Sequence, residues 1–555
     1  MHLLFEEHTY PKDALTHLHL DNFLKETTAS TAKCNYIGFI RDYDNDTLTF
    51  VLPKIFVKNG RILNRYPFHD FATTKVTELV TKIEFEIIRS LVEKLYFCLR
   101  QYQRDNPQSD IIDAKQGFII RSNLGDKQTS SFEAMLSLIA FNKSSPYLHV
   151  QQRQIIDSRD PRHIDWKKTL SKCLPVSLTD GCMIYPDFIG KTQAVRRDDP
   201  LLTVYYSLLN EFKEYDPTIH FDTSVPTLSR TELSRKKAKI VLFLRNSKSL
   251  YFSDKFKQLH SLLQSYYLAD RATYSTNRVE YLFTDDFDAV FEKMVDAILS
   301  DNELLQQYKY LKDGKEIDHL FGDADVFRGN KIIYIGDSKY YKDPTKISFQ
   351  RHKQFTYARN IIQENIYIVN KGQETVYSRN YRDPISEGYN VTPNFFVLGA
   401  VADNWAETSF LIEPDSEPPE LSFHFPNRLF DRDTLHIIYL KADFLKLLNF
   451  YIGREKRLSV SRRTERQKAR SIIRENYIVY LFRHYSFFKI KLEKEYIESN
   501  FKLLNGRVYM SPTSYPSYVL ALDKSRPTEN AQLLKKLEVD GISPEEFSAE
   551  NAEAF

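Results

Sequence analysis

Asp325, Asp337 and Lys339 are the residues whose types and spacing best fit a chemical task. They lie in DADVFRGNKIIYIGDSKYY, residues 323 to 341, where an acid opens one apolar run and a second apolar run ends in Asp-Ser-Lys. Two carboxylates suit a hard divalent cation, and a lysine beside them can orient the water that the cation activates. Residues two apart on a strand share a face, so Asp337 and Lys339 project together. Asp325 stands twelve residues before Asp337, across a hairpin expected to turn at residues 328 to 331, and is expected to return to the same edge. Asp323 competes for that role, because it shares a strand face with Asp325. The chemistry so equipped is metal-dependent hydrolysis of phosphodiesters.

The triplet alone carries little. Asp113-Ala114-Lys115, Asp165-Trp166-Lys167, Glu211-Phe212-Lys213 and Asp313-Gly314-Lys315 have the same acid-x-Lys form. None of these four follows an acid, an apolar strand and a turn at that distance, whereas Asp337 follows the strand formers Ile332, Ile333, Tyr334 and Ile335.

The elements that must position these residues follow from hydrophobic periodicity. TDDFDAVFEKMVDAIL places Phe287, Val290, Phe291, Met294 and Ile298 on one helical stripe behind an acidic start. Glu292 sits one position off that stripe, and a carboxylate so near a buried face needs a reason. After the hairpin the pattern predicts a helix over residues 347 to 364, then strands at 366–369 and 395–401. Upstream, residues 35 to 57 read as two strands and residues 77 to 102 as a long helix. The whole is an α/β chain, multidomain and α+β overall, because 555 residues exceed one ordinary core. The expected divisions are an α+β region at 1–160, a mainly helical connection at 161–270, the catalytic core at 271–402 and an α/β extension at 403–555.

Composition narrows the classes. With 42% hydrophobic and 27% charged residues the chain reads as globular, and no apolar run reaches the roughly 20 residues of a membrane span. The amino terminus lacks the order of a secretory signal, and the four cysteines form no CxxC pair. Reduced thiols in a cytoplasm are therefore expected, and a zinc site is not. Net charge is only +3, so an anionic polymer would have to meet local patches. Residues 454 to 474 hold nine Lys/Arg against two Glu, with Arg462, Arg463, Arg466 and Arg470 at helical spacing, a candidate for phosphate contact. A GxxxxGK[ST] phosphate loop, a GxSxG elbow and an HExxH helix are all missing from the sequence.

Asp-Val-Phe, then Gly-Asp-Ser-Lys-Tyr, then a helix with Gln354 and Tyr357, resembles the PD-(D/E)XK nuclease superfamily. More narrowly, the chain is similar to LlaJI-type restriction endonuclease subunits, related to the nuclease partner of McrBC systems; VLPKIFV at 51–57 and HIDWKKTL at 163–170 add to that likeness. Ala324 and Ser338 depart from the residues usual at their positions, though neither supplies a ligand. The resemblance implies a restriction-endonuclease-like core with a mixed central sheet. It implies Asp325, Asp337 and Glu292 as ligands of Mg2+, with Mn2+ as a substitute, and Lys339 and Gln354 as catalytic groups. It also implies double-stranded DNA as substrate, a separate AAA+ GTPase motor of McrB type as partner, and pairing of copies for double-strand cutting. The setting would be a prokaryotic restriction or phage-defence system. A non-catalytic adaptor that stimulates its motor, and a stand-alone or RNA-cleaving nuclease, are the alternatives.

Overall fold

The computed structural model describes residues 1–555 apart from 19, 21–24, 43–44, 46, 116–129, 149, 159–163, 197, 272–278, 302–304, 311–315, 328–330, 341–350, 374, 379–380, 408–411, 415–424, 454–458, 511–516 and 550–555. The β-branched and aromatic runs near the amino terminus form β1 (His2–Phe5), β2 (Ile37–Asp42) and β3 (Thr47–Leu52). Then comes α1 (Lys82–Asp105), whose start is fixed by a reciprocal cap between Thr81 and Glu84. Beyond it lie β4 (Ile112–Lys115) and α2 (Ser131–Ser144). A long antiparallel ribbon joins β5 (Val150–Ser158) to β6 (Phe188–Arg196). Three helices follow: α3 (Pro200–Phe212), α4 (Arg230–Asn246) and α5 (Asp254–Arg271).

The next strand, β7 (Val279–Thr284), pairs antiparallel with both β2 and β4. It completes a first sheet of order β1-β3-β2-β7-β4. The division expected at residue 271 is thus crossed by the chain: Leu282 and Phe283 are buried against the first sheet, before the helix stripe begins.

A second sheet is built from β8 (His319–Ala324), β9 (Lys331–Lys339), β10 (Asn394–Ala400), β11 (Ile412–Pro414) and β12 (Ile437–Asp443), in the order β8-β9-β10-β12-β11. The three central strands run parallel and both edges run antiparallel, so the sheet is mixed. β9 is buried over seven of its nine residues, the continuous apolar run of a strand covered on both faces. Its covers are α6 (Phe287–Leu299), which packs on β8 and β9, and α7 (Arg351–Asn370), which packs on β9. Two of these strands, β11 and β12, come from beyond residue 402, so this sheet is not closed within 271–402.

The strand expected at 366–369 is instead the last turn of α7. Ala358, Ile361, Ile362 and Ile368 are buried along that helix, and their packing overrides the strand propensity of Ile-Tyr-Ile-Val. After β12 come α8 (Phe444–Ile452) and α9 (Ser459–His484). A third sheet follows, of order β14-β15-β13-β16, from β13 (Tyr485–Lys491), β14 (Val508–Met510), β15 (Ser517–Asp523) and β16 (Glu545–Phe547).

Candidate active site

Hairpin register decides which carboxylates meet. His319 faces Gly336 and Ala324 faces Lys331, so the residue before β8, Asp318, comes opposite Asp337. Asp325 is the first residue past β8 on the turn side, and Asp337 lies six residues along β9 from Lys331. At about 3.3 Å per residue that is a separation of about 20 Å along the hairpin. Asp325 and Asp337 therefore do not share an edge. In an antiparallel pair every step away from the turn on one strand is matched on the other, and Asp325 takes none. Asp325 is fully buried and its Oδ2 accepts a hydrogen bond from Asn390 Nδ2 at 3.0 Å. Asp323 is half-buried, and its Oδ1 accepts from the backbone of Ala324 at 2.7 Å. Both belong to the turn end.

Asp318, Asp337 and Lys339 form the cluster at the other end, where parallel β9 finishes. Lys339 Nζ is 2.5 Å from Asp337 Oδ1 and 3.9 Å from Asp318 Oδ2. Lys353, on the first turn of α7, puts its Nζ 3.5 Å from Asp318 Oδ1. Gly336 keeps the backbone tight here, since a Cβ on it would fall 2.3 Å from the Phe395 ring.

The two carboxylates face each other across the hairpin and are shifted in opposite directions. Asp337, fully buried, is pushed well above the usual carboxylate range by burial and then by its bond to Asp318 and that residue's charge. For Asp318, burial opposes ionisation, but the bond from Asp337 and the charges of His319, Lys353 and Lys339 outweigh it and pull its pKa down. Two neighbouring carboxylates that oppose each other's ionisation are a pair that a cation would relieve.

Glu292 of α6 reaches this cluster electrostatically. Burial raises its pKa, and the charge of Asp318 raises it further against His319 and Lys293. Behind it, buried His319 places Nδ1 3.4 Å from Asp296 Oδ1, and Lys309 Nζ is 3.5 Å from the same oxygen. Gln354 is fully buried, with neither amide atom hydrogen-bonded, next to Lys353 on α7. Tyr357 lies under the Lys353 ammonium, 5.2 Å from ring centroid to Nζ, and its hydroxyl donates to Glu316 O at 2.9 Å.

The structure thus gathers Asp337 and Lys339, brings Glu292 within electrostatic reach of Asp318, and leaves Asp325 apart, while Gln354 is buried on the same turn of α7 as Lys353. Asp318 and Lys353 were not identified by sequence reasoning. The signal for Asp318 was its place at the head of the run His-Leu-Phe, the same distance from the turn as Asp337. Lys353 carries no distinguishing pattern.

The arginines of α9 have other work. Arg470 donates to Leu299 O at 2.6 Å and pairs with Asp301 at 2.6 Å, with its guanidinium 5.0 Å over the Phe321 ring. Arg466 donates to the Ile298 and Ser300 carbonyls, and Arg462 lies over Phe450. Arg466 and Arg470 therefore cap the open carbonyls at the end of α6, and their helical spacing reflects that seam rather than a phosphate track. Arg463 is exposed, and residues 454–458 of the basic run lie outside the described residues.

The first sheet grips the strand that carries Lys339. Tyr340 is 1% exposed, and its hydroxyl donates to Glu6 Oε2 at 3.0 Å. Lys54 adds a backbone bond to that same oxygen at 3.3 Å and pairs with Glu7 at 2.8 Å. Burial pushes the Glu6 carboxyl up to about 7, against the pull of Lys54 and Tyr340. The folded chain then binds a proton that the unfolded chain releases near pH 4.5, so this site's contribution falls as pH rises through 7. Glu6→Gln is expected to stabilise the protein by about 3 kcal/mol at pH 8 and by almost nothing at pH 4. Melting temperatures of both proteins across that range check it; a pH-independent difference would contradict it.

Metal fit follows from the donor set. Among the described residues no three His, Cys, Asp or Glu converge as a metal-binding group. A carboxylate pair is what Mg2+ uses when water and substrate phosphate complete its shell, whereas zinc would need a third protein ligand. Asp318 and Asp337 are the residues that would hold it. Among the described residues no helix is long and apolar enough to cross a membrane.

No family model matches the sequence, and no curated protein matches it. Among solved structures the chain is similar to a chain of the refined half-complex from a tetradecameric assembly of Thermococcus gammatolerans McrB AAA+ hexamers with bound McrC. The identity is 11%, the match covers 85% of this chain and 99% of that one, and the TM-score is 0.29. A score that low does not establish a shared fold.

Proposed function

We propose that this chain is a Mg2+-dependent endonuclease of PD-(D/E)XK type, hydrolysing phosphodiester bonds of double-stranded DNA. The observation that carries the reading is the Asp318–Asp337–Lys339 cluster at the end of a central parallel strand, flanked by Glu292. Unaided phosphodiester hydrolysis is so slow that a catalyst must supply on the order of 20 kcal/mol. Bound between Asp318 and Asp337, Mg2+ would polarise the phosphate and lower the pKa of a water. Lys339, held by Asp337, is placed to orient the attacking water and to offset charge on the phosphorus oxygens. Burial and then the charge of Asp318 favour the protonated form of Glu292, which suits it to bond a further water. Because the sequence has no phosphate loop, nucleotide hydrolysis falls to a separate AAA+ GTPase motor, and restriction or phage defence is the setting the sequence resemblance supports.

The test supplies supercoiled DNA and single-stranded RNA side by side with Mg2+, with and without a McrB-type motor and GTP. Cutting of DNA that needs Mg2+ and is raised by the motor is expected. Cutting of RNA alone would replace the substrate, and no metal-dependent cutting under any condition would leave the adaptor reading.

A further inference from the structure

The carboxylate pair has two ammonium groups on it, and they are held differently. Lys339 is fixed in β9 with its side chain 13% exposed and contacts both acids. Lys353 leaves the first turn of α7 with its side chain 42% exposed and meets Asp318 from the solvent side. We propose that Lys353 is a built-in competitor for the divalent cation, neutralising Asp318 in the resting chain and swinging out when the cation binds. The inference rests on the reading of Asp318 and Asp337 as a metal site, and adds the device that sets its affinity.

The reasoning is electrostatic. A divalent ion brought to Asp318 would sit beside an ammonium now 3.5 Å from Oδ1, and like charges at that range repel strongly in a half-buried site. Lys339 cannot relieve this, because its stem is enclosed and its Nζ is bound to Asp337 at 2.5 Å. Lys353 can, since its head already borders water and a flexible four-carbon stem lets it leave without moving the helix. Tyr357, whose ring already lies 5.2 Å from Nζ, remains as a partner for the ammonium once Asp318 is given up. On Asp318 itself the exchange is of one cation for another on the same oxygen. Occupation of the site would then require cation concentrations high enough to expel the lysine.

Mn2+ is the probe, titrated into the full-length chain without nucleic acid or motor and followed by the loss of its free electron paramagnetic resonance signal. Lys353→Met and Lys353→Gln are each expected to tighten Mn2+ binding by about tenfold, and Lys353→Arg to leave it near the starting value. Asp337→Asn is expected to abolish it. If Asp337→Asn abolishes binding but both neutral variants bind no tighter than the parent, the competitor role is overturned and the metal site stands. If Asp337→Asn binds Mn2+ as the parent does, no cation sits on the pair and both readings are overturned. Circular dichroism of each variant separates lost binding from lost structure.

Discussion

Asp337→Asn is expected to lower DNA cleavage by more than about a thousandfold while the melting temperature holds or rises. The two halves of that result have one cause. Asp337 is fully buried beside Asp318, and its ionised form is disfavoured by burial and by that neighbour. An asparagine has nearly the same shape and no charge, so the fold loses a strained electrostatic arrangement rather than a support. The chemistry loses a ligand and the anchor of Lys339, whose Nζ is 2.5 Å from Asp337 Oδ1. Cleavage rate and thermal unfolding on the same preparation check it. Full activity would remove Asp337 from the site, and a collapsed melting temperature would mean that the residue acts as a structural support.

The second expected result separates Asp325, which the sequence motif favours, from Asp318, which the hairpin register favours. Asp318→Asn should reduce cleavage by at least about a hundredfold with little change in stability. Asp325→Ala should do the reverse, costing about 1–3 kcal/mol because Asn390 loses the acceptor of a buried hydrogen bond, with catalysis per folded molecule retained. Measuring cleavage and melting temperature for both variants gives a crossed pattern. Loss of cleavage in Asp325→Ala at full stability would return the first ligand to the turn end of the hairpin.

That contrast marks where the sequence stops being readable. The apolar stripe Phe287, Val290, Phe291, Met294 and Ile298 is buried on one helix as its period requires. The two strands of the hairpin also lie near their expected positions, since β-branched and aromatic residues crowd both. Register is another matter. It depends on how many residues the connection takes, and six residues separate Ala324 from Lys331 where a tighter turn was expected. Lys353 was illegible because its role comes from the fold: α7 crosses β9 and brings an ordinary surface lysine onto Asp318. The arginines of α9 show the converse. A regular basic spacing looked like a track for phosphate, and two of its members bond the end of α6 instead.

The place of β7 has a practical consequence for dissecting the protein. It is the middle member of β2-β7-β4, and two residues after it α6 begins. Any excision before residue 279 would strand β7 without partners on either side, presenting unpaired backbone next to the helix that carries Glu292. Tyr340 would lose Glu6 at the same stroke. The half of this chain that carries Asp318 and Asp337 is consequently not a portable cassette: its natural unit of transfer, duplication or fusion includes the first sheet.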